Sequence, residues 1–291
     1  MTEAGASVTA AGRAFSRLCR ELFREAVRGV RRRRGAFAVG FLLVVGLTLF
    51  AFDRDGAVNE GVRRARERWP GANRIAHYYR LWGRGHDTAA FCSLLLIGAA
   101  LRGRNPRIWP PLVAGLAAAV YGLAAGARFD KWSAGTVAVV LAILLWITAA
   151  LRGDRRWARC ALAALLAALC AGLLVNTVRF STGRPRPRAS DVERLQGPTL
   201  EADHQSFPSG HAATSAGAAA CLLVCAPPLG TLAILNAVGI GWSSVHSRAH
   251  HLSDVVAGTG VGLLVGLAFG TAVQRINQAR PPIPAPPAYR P

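Results

Sequence analysis

Long apolar runs without charge are the feature that most constrains this chain of 291 residues. Most of them hold enough residues for a helix to cross the roughly 30 Å apolar layer of a bilayer. Because a surface helix of a soluble protein carries polar residues along one side, the runs predict membrane spans instead. The predicted fold class is all-α, a polytopic membrane helical bundle of about eight spans. The runs lie at residues 36–52, 88–101, 109–127, 133–151, 158–178, 209–226, 229–246 and 252–273.

The charged residues gather between the runs and are strongly basic, with 35 Lys and Arg against 15 Asp and Glu. Arginines are dense in residues 31–34, 102–107 and 152–159, and the positive-inside rule places these segments in the cytoplasm. An even number of spans then puts both termini on that side. Nucleic acid is excluded as the anionic partner, because the sequence has no zinc-finger spacing and no ribonucleoprotein motif. Membrane lipids and a phosphate substrate account for the basic charge.

The first two segments of the chain are an N-terminal tail and a group of spans. Residues 1–35 form a basic cytoplasmic segment, and its part from 13 to 30 fits either an amphipathic helix on the inner leaflet or a disordered tail. Residues 36–157 hold the N-terminal spans. Between the first two spans lies an outer segment, 53–87, whose aromatic residues fit an interfacial helix. Its eight arginines conflict in part with an outer location.

The other two segments are a core and a second tail. Residues 158–273 hold four spans and three polar clusters, and we predict a core domain there. Residues 274–291 are rich in proline and predict an extended cytoplasmic tail. Under this topology all three polar clusters lie at the outer ends of spans, so they are expected to meet.

The first cluster runs from Arg179 to Arg188 and contains several arginines beside a Gly-Pro turn. Guanidinium groups offer paired donors in one plane, which suits phosphate oxygens. The alternative is an ordinary basic loop.

The second cluster, Phe207 to His211, opens the sixth apolar run. Ser209 stands at the N-cap position, and with Gly210 it predicts an anion-binding helix N-terminus. His211 is placed to donate a proton to a leaving oxygen. The alternative is a capped helix start with an interfacial histidine.

The third cluster runs from Ser243 to Asp254. His250 and Asp254 are four residues apart and share a face if the segment is helical. The carboxylate would then hold the imidazole in the tautomer that leaves its other nitrogen free to attack. His251 is the alternative nucleophile.

Taken together, the clusters resemble the type 2 phosphatidic acid phosphatase superfamily, whose motifs are Lys-x6-Arg-Pro, Pro-Ser-Gly-His and Ser-Arg-x5-His-x3-Asp. The resemblance covers about residues 158–273 and implies an acid phosphatase/haloperoxidase-like helical core. Arg179 stands where the family has lysine, which keeps the charge. Ser244 stands where the family has arginine, so the positive charge is lost at this position. Arg248 is four residues further on and is the candidate replacement.

The resemblance also implies a mechanism without metal or cofactor, in which histidine attacks phosphorus and water then releases phosphate. It gives His250 the role of nucleophile, His211 that of general acid and Asp254 that of orienting group. The phosphate-binding residues that it implies are Arg179, Arg186, Ser209, Gly210 and Arg248.

The predicted function is thus that of an integral membrane lipid phosphatase. Its substrate is a lipid phosphomonoester or diphosphate at the periplasmic face of a cell inner membrane. Three alternatives stand beside it. An inactive lipid-phosphate-binding relative is favoured by the serine at position 244. A transporter is disfavoured because the charges lie at span ends. The eight apolar runs argue against a soluble acid phosphatase or haloperoxidase.

Overall fold

The computed structural model describes residues 3–82, 85–102, 106–128, 143–150, 153–189 and 195–279. Within these ranges the chain is helical and contains no strand, which confirms the predicted all-α class. Residues 280–291 of the predicted tail, and most of the predicted span 133–151, lie outside the described residues. The helices of the N-terminal half are α1 Glu3–Arg32, α2 Arg34–Arg68, α3 Pro70–Trp82, α4 Gly85–Arg102 and α5 Trp109–Arg128.

The C-terminal half begins with a helix that has a defined cap at each end. Asp154 caps its start, because the carboxylate accepts hydrogen bonds from the backbone N–H groups of Arg156 and Trp157. Gly183 ends it in the left-handed conformation with φ 58°, where a Cβ would lie 1.9 Å from the carbonyl oxygen of Gly197. The helices of this half are α6 Arg155–Thr182, α7 Gly210–Cys225, α8 Pro227–His246 and α9 Leu252–Ala279.

Helices α7 and α9 are in direct backbone contact through glycines spaced four residues apart. A Cβ at Gly258 would lie 2.3 Å from the carbonyl oxygen of Ser209, and one at Gly262 would lie 2.4 Å from that of Ala213. Any larger residue would push the helices apart, as at other helix contacts lined by small residues. This contact fixes the start of α9, in the third cluster, against the start of α7, in the second.

Apolar composition marks several of these helices as membrane spans. Among the described residues four are long and apolar enough to cross a bilayer, and two shorter apolar helices accompany them. These observations support a multi-pass membrane protein, and the number of about eight spans stays a prediction. The four are α2, α6, α8 and α9, and the shorter ones are Cys92–Arg102 and Gly210–Cys225.

Helix α1 is amphipathic, so of the two expectations for residues 13–30 the structure has the helix. Its buried residues Leu18, Leu22 and Ala26 belong to the main hydrophobic core. Phe23 packs edge-on against Phe269 of α9, with ring centroids 5.2 Å apart. The exposed side of α1 carries arginines.

Helix α2 continues well past the apolar run in which it begins. The sequence predicts an outer segment from residue 53, whereas α2 runs without a break to Arg68, and α3 follows directly. The polar part of α2 contains a fully buried carboxylate, Asp55. An unpaired buried charge is costly, so this residue indicates that α2 packs on other charged groups there.

Candidate active site

The three polar clusters meet at one end of the bundle, as the sequence predicts. Arg184 of the first cluster donates a hydrogen bond to Asp254 of the third at 2.6 Å. The backbone N–H of Ser209, in the second cluster, donates to the carbonyl oxygen of Asp254 at 2.9 Å. The ends of α6, α7, α8 and α9 therefore surround one polar centre.

The start of α7 has the features of an anion-binding helix N-terminus. Ser209 is the N-cap residue, fully buried, and its hydroxyl accepts a hydrogen bond from the N–H of Ala212 at 3.4 Å. A Cβ on Gly210 would lie 3.5 Å from a guanidinium nitrogen of Arg179, so a positive charge stands directly beside this end of the helix. The buried Nε of Arg179 has no hydrogen-bond partner among the described residues. Helix dipole and guanidinium together favour an anion here.

His250 is buried with its two ring nitrogens in different situations. Nδ1 lies 2.8 Å from the carbonyl oxygen of Ser206, which can only accept a hydrogen bond. Nδ1 therefore carries the proton, and Nε2 of the neutral ring holds a lone pair. Nε2 is buried and has no hydrogen-bond partner in the described part of the chain. This is the nitrogen that the predicted nucleophile needs.

The charge state of His250 suits the same role. Burial lowers the pKa of His250 below the ordinary value of 6.5, and the positive charge of Arg186 acts in the same direction, whereas Asp254 opposes them. The net effect is a lowered pKa, so the imidazole is neutral at pH 7. A neutral imidazole can attack phosphorus, and an imidazolium cannot.

Asp254 lies beside His250, but not in the manner that the helical spacing predicts. Helix α9 starts at Leu252, so His250 precedes it and the two residues do not share a helix face. Oδ2 of Asp254 is 3.7 Å from Nδ1 of His250, too far for a hydrogen bond. The carboxylate instead accepts from the backbone N–H of His251 at 2.8 Å and from the hydroxyl of Ser206. Asp254 thus acts on His250 in two ways, through its charge 3.7 Å from the ring and through Ser206, whose carbonyl binds the ring.

His211 lies across from His250 in the first turn of α7. Their ring centroids are 6.2 Å apart and the rings are nearly perpendicular, with an interplanar angle of 70°. The structure therefore brings together both histidines that the sequence singles out. His251, the alternative nucleophile, has both nitrogens at hydrogen-bond distance from polar groups: Nδ1 from Asn59 at 3.0 Å and Nε2 from the carbonyl of Pro185 at 3.1 Å.

Arg186 belongs to the loop between α6 and α7. Its Nε donates to the carbonyl of Ala202 at 2.8 Å, which fixes the direction of the side chain. Its backbone N–H donates to the carbonyl of Asp203. Arg186 is close enough to His250 to influence the charge on that ring.

Ser244 and Arg248 are four residues apart, yet they do not lie on one continuous helix. Helix α8 ends at His246, and Arg248 adopts a positive φ of 52°, a conformation that non-glycine residues rarely adopt. Ser244 is buried, and its hydroxyl donates to the carbonyl of Ile240. The guanidinium of Arg248 donates to the carbonyl of Pro187, next to Arg186. The turn after α8 therefore brings Arg248 to the first cluster, a position that its sequence spacing from Ser244 does not predict.

Residues 157–278, which contain all three clusters, match the model of the PAP2 superfamily. These residues belong to the PAP2 superfamily. A similar solved structure is the first transmembrane PAP2 type phosphatidylglycerolphosphate phosphatase from Bacillus subtilis, at 16% sequence identity and a TM-score of 0.46. The similarity covers 84% of this chain and 98% of that one. The predicted family is confirmed for these residues, and the apolar helices support a multi-pass membrane protein.

Several residues that support the PAP2 site are not among those predicted from the sequence. Ser206 lies one residue ahead of the second cluster, and its hydroxyl and carbonyl join Asp254 to His250. Arg184 lies within the first cluster but is fully buried and paired with carboxylates. Asp55 lies outside the PAP2 segment altogether. Only its position, just past an apolar run, is visible in the sequence.

Proposed function

We propose that this protein is a lipid phosphatase that hydrolyses a lipid phosphomonoester or diphosphate through a phosphohistidine on His250. The observation that carries the proposal is the arrangement at His250. The ring is buried, a carbonyl fixes its Nδ1 proton, and its Nε2 has no partner among the described residues. His211 and the anion-binding end of α7 lie next to it.

In the first step Nε2 of His250 attacks phosphorus, and the bond between phosphorus and the leaving oxygen breaks. His211 gives that oxygen a proton as it leaves. In the second step water attacks the phosphohistidine, and His211 takes the water proton. The nitrogen–phosphorus bond then breaks, inorganic phosphate leaves and His250 is restored.

Cationic and backbone donors are proposed to hold the phosphoryl oxygens while negative charge spreads over them. Arg179, Arg186, Ser209 and the backbone N–H of Gly210 supply this group. Fixed donors of this kind account for most of the catalysis in phosphoryl transfer. None of these contacts requires a metal ion.

The choice of a lipid substrate rests on the surroundings of the site. Helix α6 ends at the site, and its last turns expose apolar side chains, among them Leu174, Val178 and Phe180. Such side chains favour contact with the acyl chains of a lipid whose phosphate lies at the phosphate-binding residues. We propose the outer, periplasmic face, because the arginines of 102–107 and 152–159 are expected to stay in the cytoplasm.

The test of this function is phosphate release by purified protein in detergent. We expect release from at least one of phosphatidic acid, phosphatidylglycerol phosphate and a polyprenyl diphosphate, and we expect the rate to persist in excess EDTA.

In intact cells a water-soluble short-chain lipid phosphate added outside should be hydrolysed. No release from any lipid would favour the inactive lipid-binding relative. Loss in EDTA that Mg²⁺ restores would contradict the metal-free mechanism.

Arg248 is proposed to replace the cation that is missing at Ser244. Its guanidinium donates to the carbonyl of Pro187, the chain neighbour of Arg186, and one charge-assisted hydrogen bond contributes about 1.5–3 kcal/mol. Arg248→Ala should therefore lower kcat/KM about tenfold to a hundredfold. Adding Ser244→Arg to this variant should recover part of the loss. A silent Arg248→Ala, together with a faster Ser244→Arg single variant, would show that the natural site simply lacks the third cation.

A further inference from the structure

Three fully buried charges lie behind the candidate site, and one of them comes from α2. Arg184 donates to Asp254 at 2.6 Å and to Asp55 at 2.8 Å. All three side chains have 0% exposure. The guanidinium carbon of Arg184 lies over the ring of Phe52 of α2, 4.4 Å from the ring centroid.

Asp55 also binds the first turn of α9 directly. Its carboxylate accepts from the backbone N–H of Ser253 at 3.0 Å and from the hydroxyl of the same residue. Ser253 precedes Asp254, so Asp55 holds this turn through both Arg184 and Ser253. One turn further along α2, Asn59 contacts His251 at 3.0 Å.

The charges of this group do not cancel. Two carboxylates and one guanidinium leave one net negative charge buried near His250. When Nε2 of His250 forms a bond to phosphorus, the ring becomes positively charged. A buried negative charge stabilises that cation strongly, because little water screens it.

We infer that Asp55 is a positioning residue of the active site, which acts through Arg184 and Ser253 on Asp254 and so on His250. Helix α2 lies outside residues 157–278. The catalytic centre is therefore completed by a helix that the PAP2 segment does not contain. The inference rests on the proposed phosphatase function.

The charged and titratable groups around His250 come from several elements. Asp254 lies on α9, His211 on α7, and Arg186 and Arg184 on the loop after α6, while Asp55 reaches the group from α2. His251 is the chain neighbour of His250. All of these groups except Asp55 lie beside His250 or belong to the first or third cluster. Neutralising Asp55 therefore changes the buried charge and leaves those groups in place.

The test is Asp55→Asn in the full-length protein, with Asp53→Asn as the matched control. Asp53 lies two residues away on the same helix, and 78% of its side chain is exposed. Asp55→Asn should lower kcat about tenfold to a hundredfold, as expected for one lost charge-assisted contact, with little change in KM. The acid limb of the kcat/KM profile should move to lower pH, because the pKa of His250 falls when a negative charge is removed. Asp53→Asn should match the wild type in both respects.

The double variant Asp55→Asn/Arg184→Gln separates orientation from charge. It keeps the net charge of the group at one negative, so its acid limb should return towards the wild-type position while kcat stays low. A folded Asp55→Asn protein with wild-type kcat and pH profile would overturn the inference. If neither variant can be obtained as folded protein, Asp55 has a purely structural role, and the inference is overturned as well. If the wild type itself releases no phosphate, the proposed function fails instead.

Discussion

Replacing His250 with alanine is expected to abolish phosphate release, with a loss of more than about a thousandfold. The side chain supplies the nucleophile of the first step in the proposed mechanism, and water is a poor substitute for it in that step. The measurement is the initial rate of phosphate release from a lipid substrate in detergent. Thermal unfolding of the variant, compared with that of the wild type, shows whether the fold survives.

The adjacent histidine is the informative comparison. Both nitrogens of His251 lie at hydrogen-bond distance from Asn59 or Pro185, so this ring is not available to attack. His251→Ala should therefore retain far more activity than His250→Ala. The reverse order would make His251 the nucleophile and contradict the proposed assignment.

Replacing His211 with glutamine is expected to lower the rate on a lipid substrate about a hundredfold to ten-thousandfold, the usual range for loss of a general acid. The alkoxide that leaves a lipid phosphomonoester is a poor leaving group and needs the proton that His211 donates. A p-nitrophenyl ester leaves as a stabilised anion and needs none. With p-nitrophenyl phosphate the rate of the first step is measured as the initial burst of p-nitrophenol. The variant should therefore lose much less of this rate than of its rate on the lipid substrate.

If the p-nitrophenol burst falls by as large a factor as the rate on the lipid substrate, the role of His211 as general acid is contradicted. Such a loss would assign the residue to phosphate binding. His204→Gln is a suitable control, because His204 lies on the loop and pairs with the exposed Glu201. It should leave both rates close to those of the wild type.

The sequence predicts the fold class and the meeting of the clusters because both follow from local patterns. Uncharged runs require helices in a membrane, and polar residues at span ends must lie at the surface of the apolar layer. Ser209 is another local case. A serine and a glycine ahead of an apolar run predict an N-cap, and the structure has one.

The support of His250 was not predictable in the same way. Helical spacing suggests that Asp254 binds the ring directly, but α9 begins after His250, and the ring binds the carbonyl of Ser206 instead. Asp55 lies 198 residues from Ser253, so nothing in the local sequence connects them. Contacts of this kind depend on how whole helices pack. Every residue has a backbone carbonyl, so the sequence does not show which one binds the ring. The turn at Arg248 shows the same limit, because its positive φ ends the helical spacing from Ser244.

The phosphohistidine on His250 can be tested directly by trapping it during turnover. The protein is mixed with a lipid substrate labelled in its phosphate and quenched in alkaline denaturant during turnover, since phosphohistidine is stable to alkali and labile to acid. The His211→Gln variant with labelled p-nitrophenyl phosphate should accumulate more of it, because His211 also activates the water of the second step. We expect an acid-labile label on the peptide that contains His250, and none in His250→Ala. Rapid phosphate release with no label at any time, or a label on another residue, would contradict the proposed mechanism.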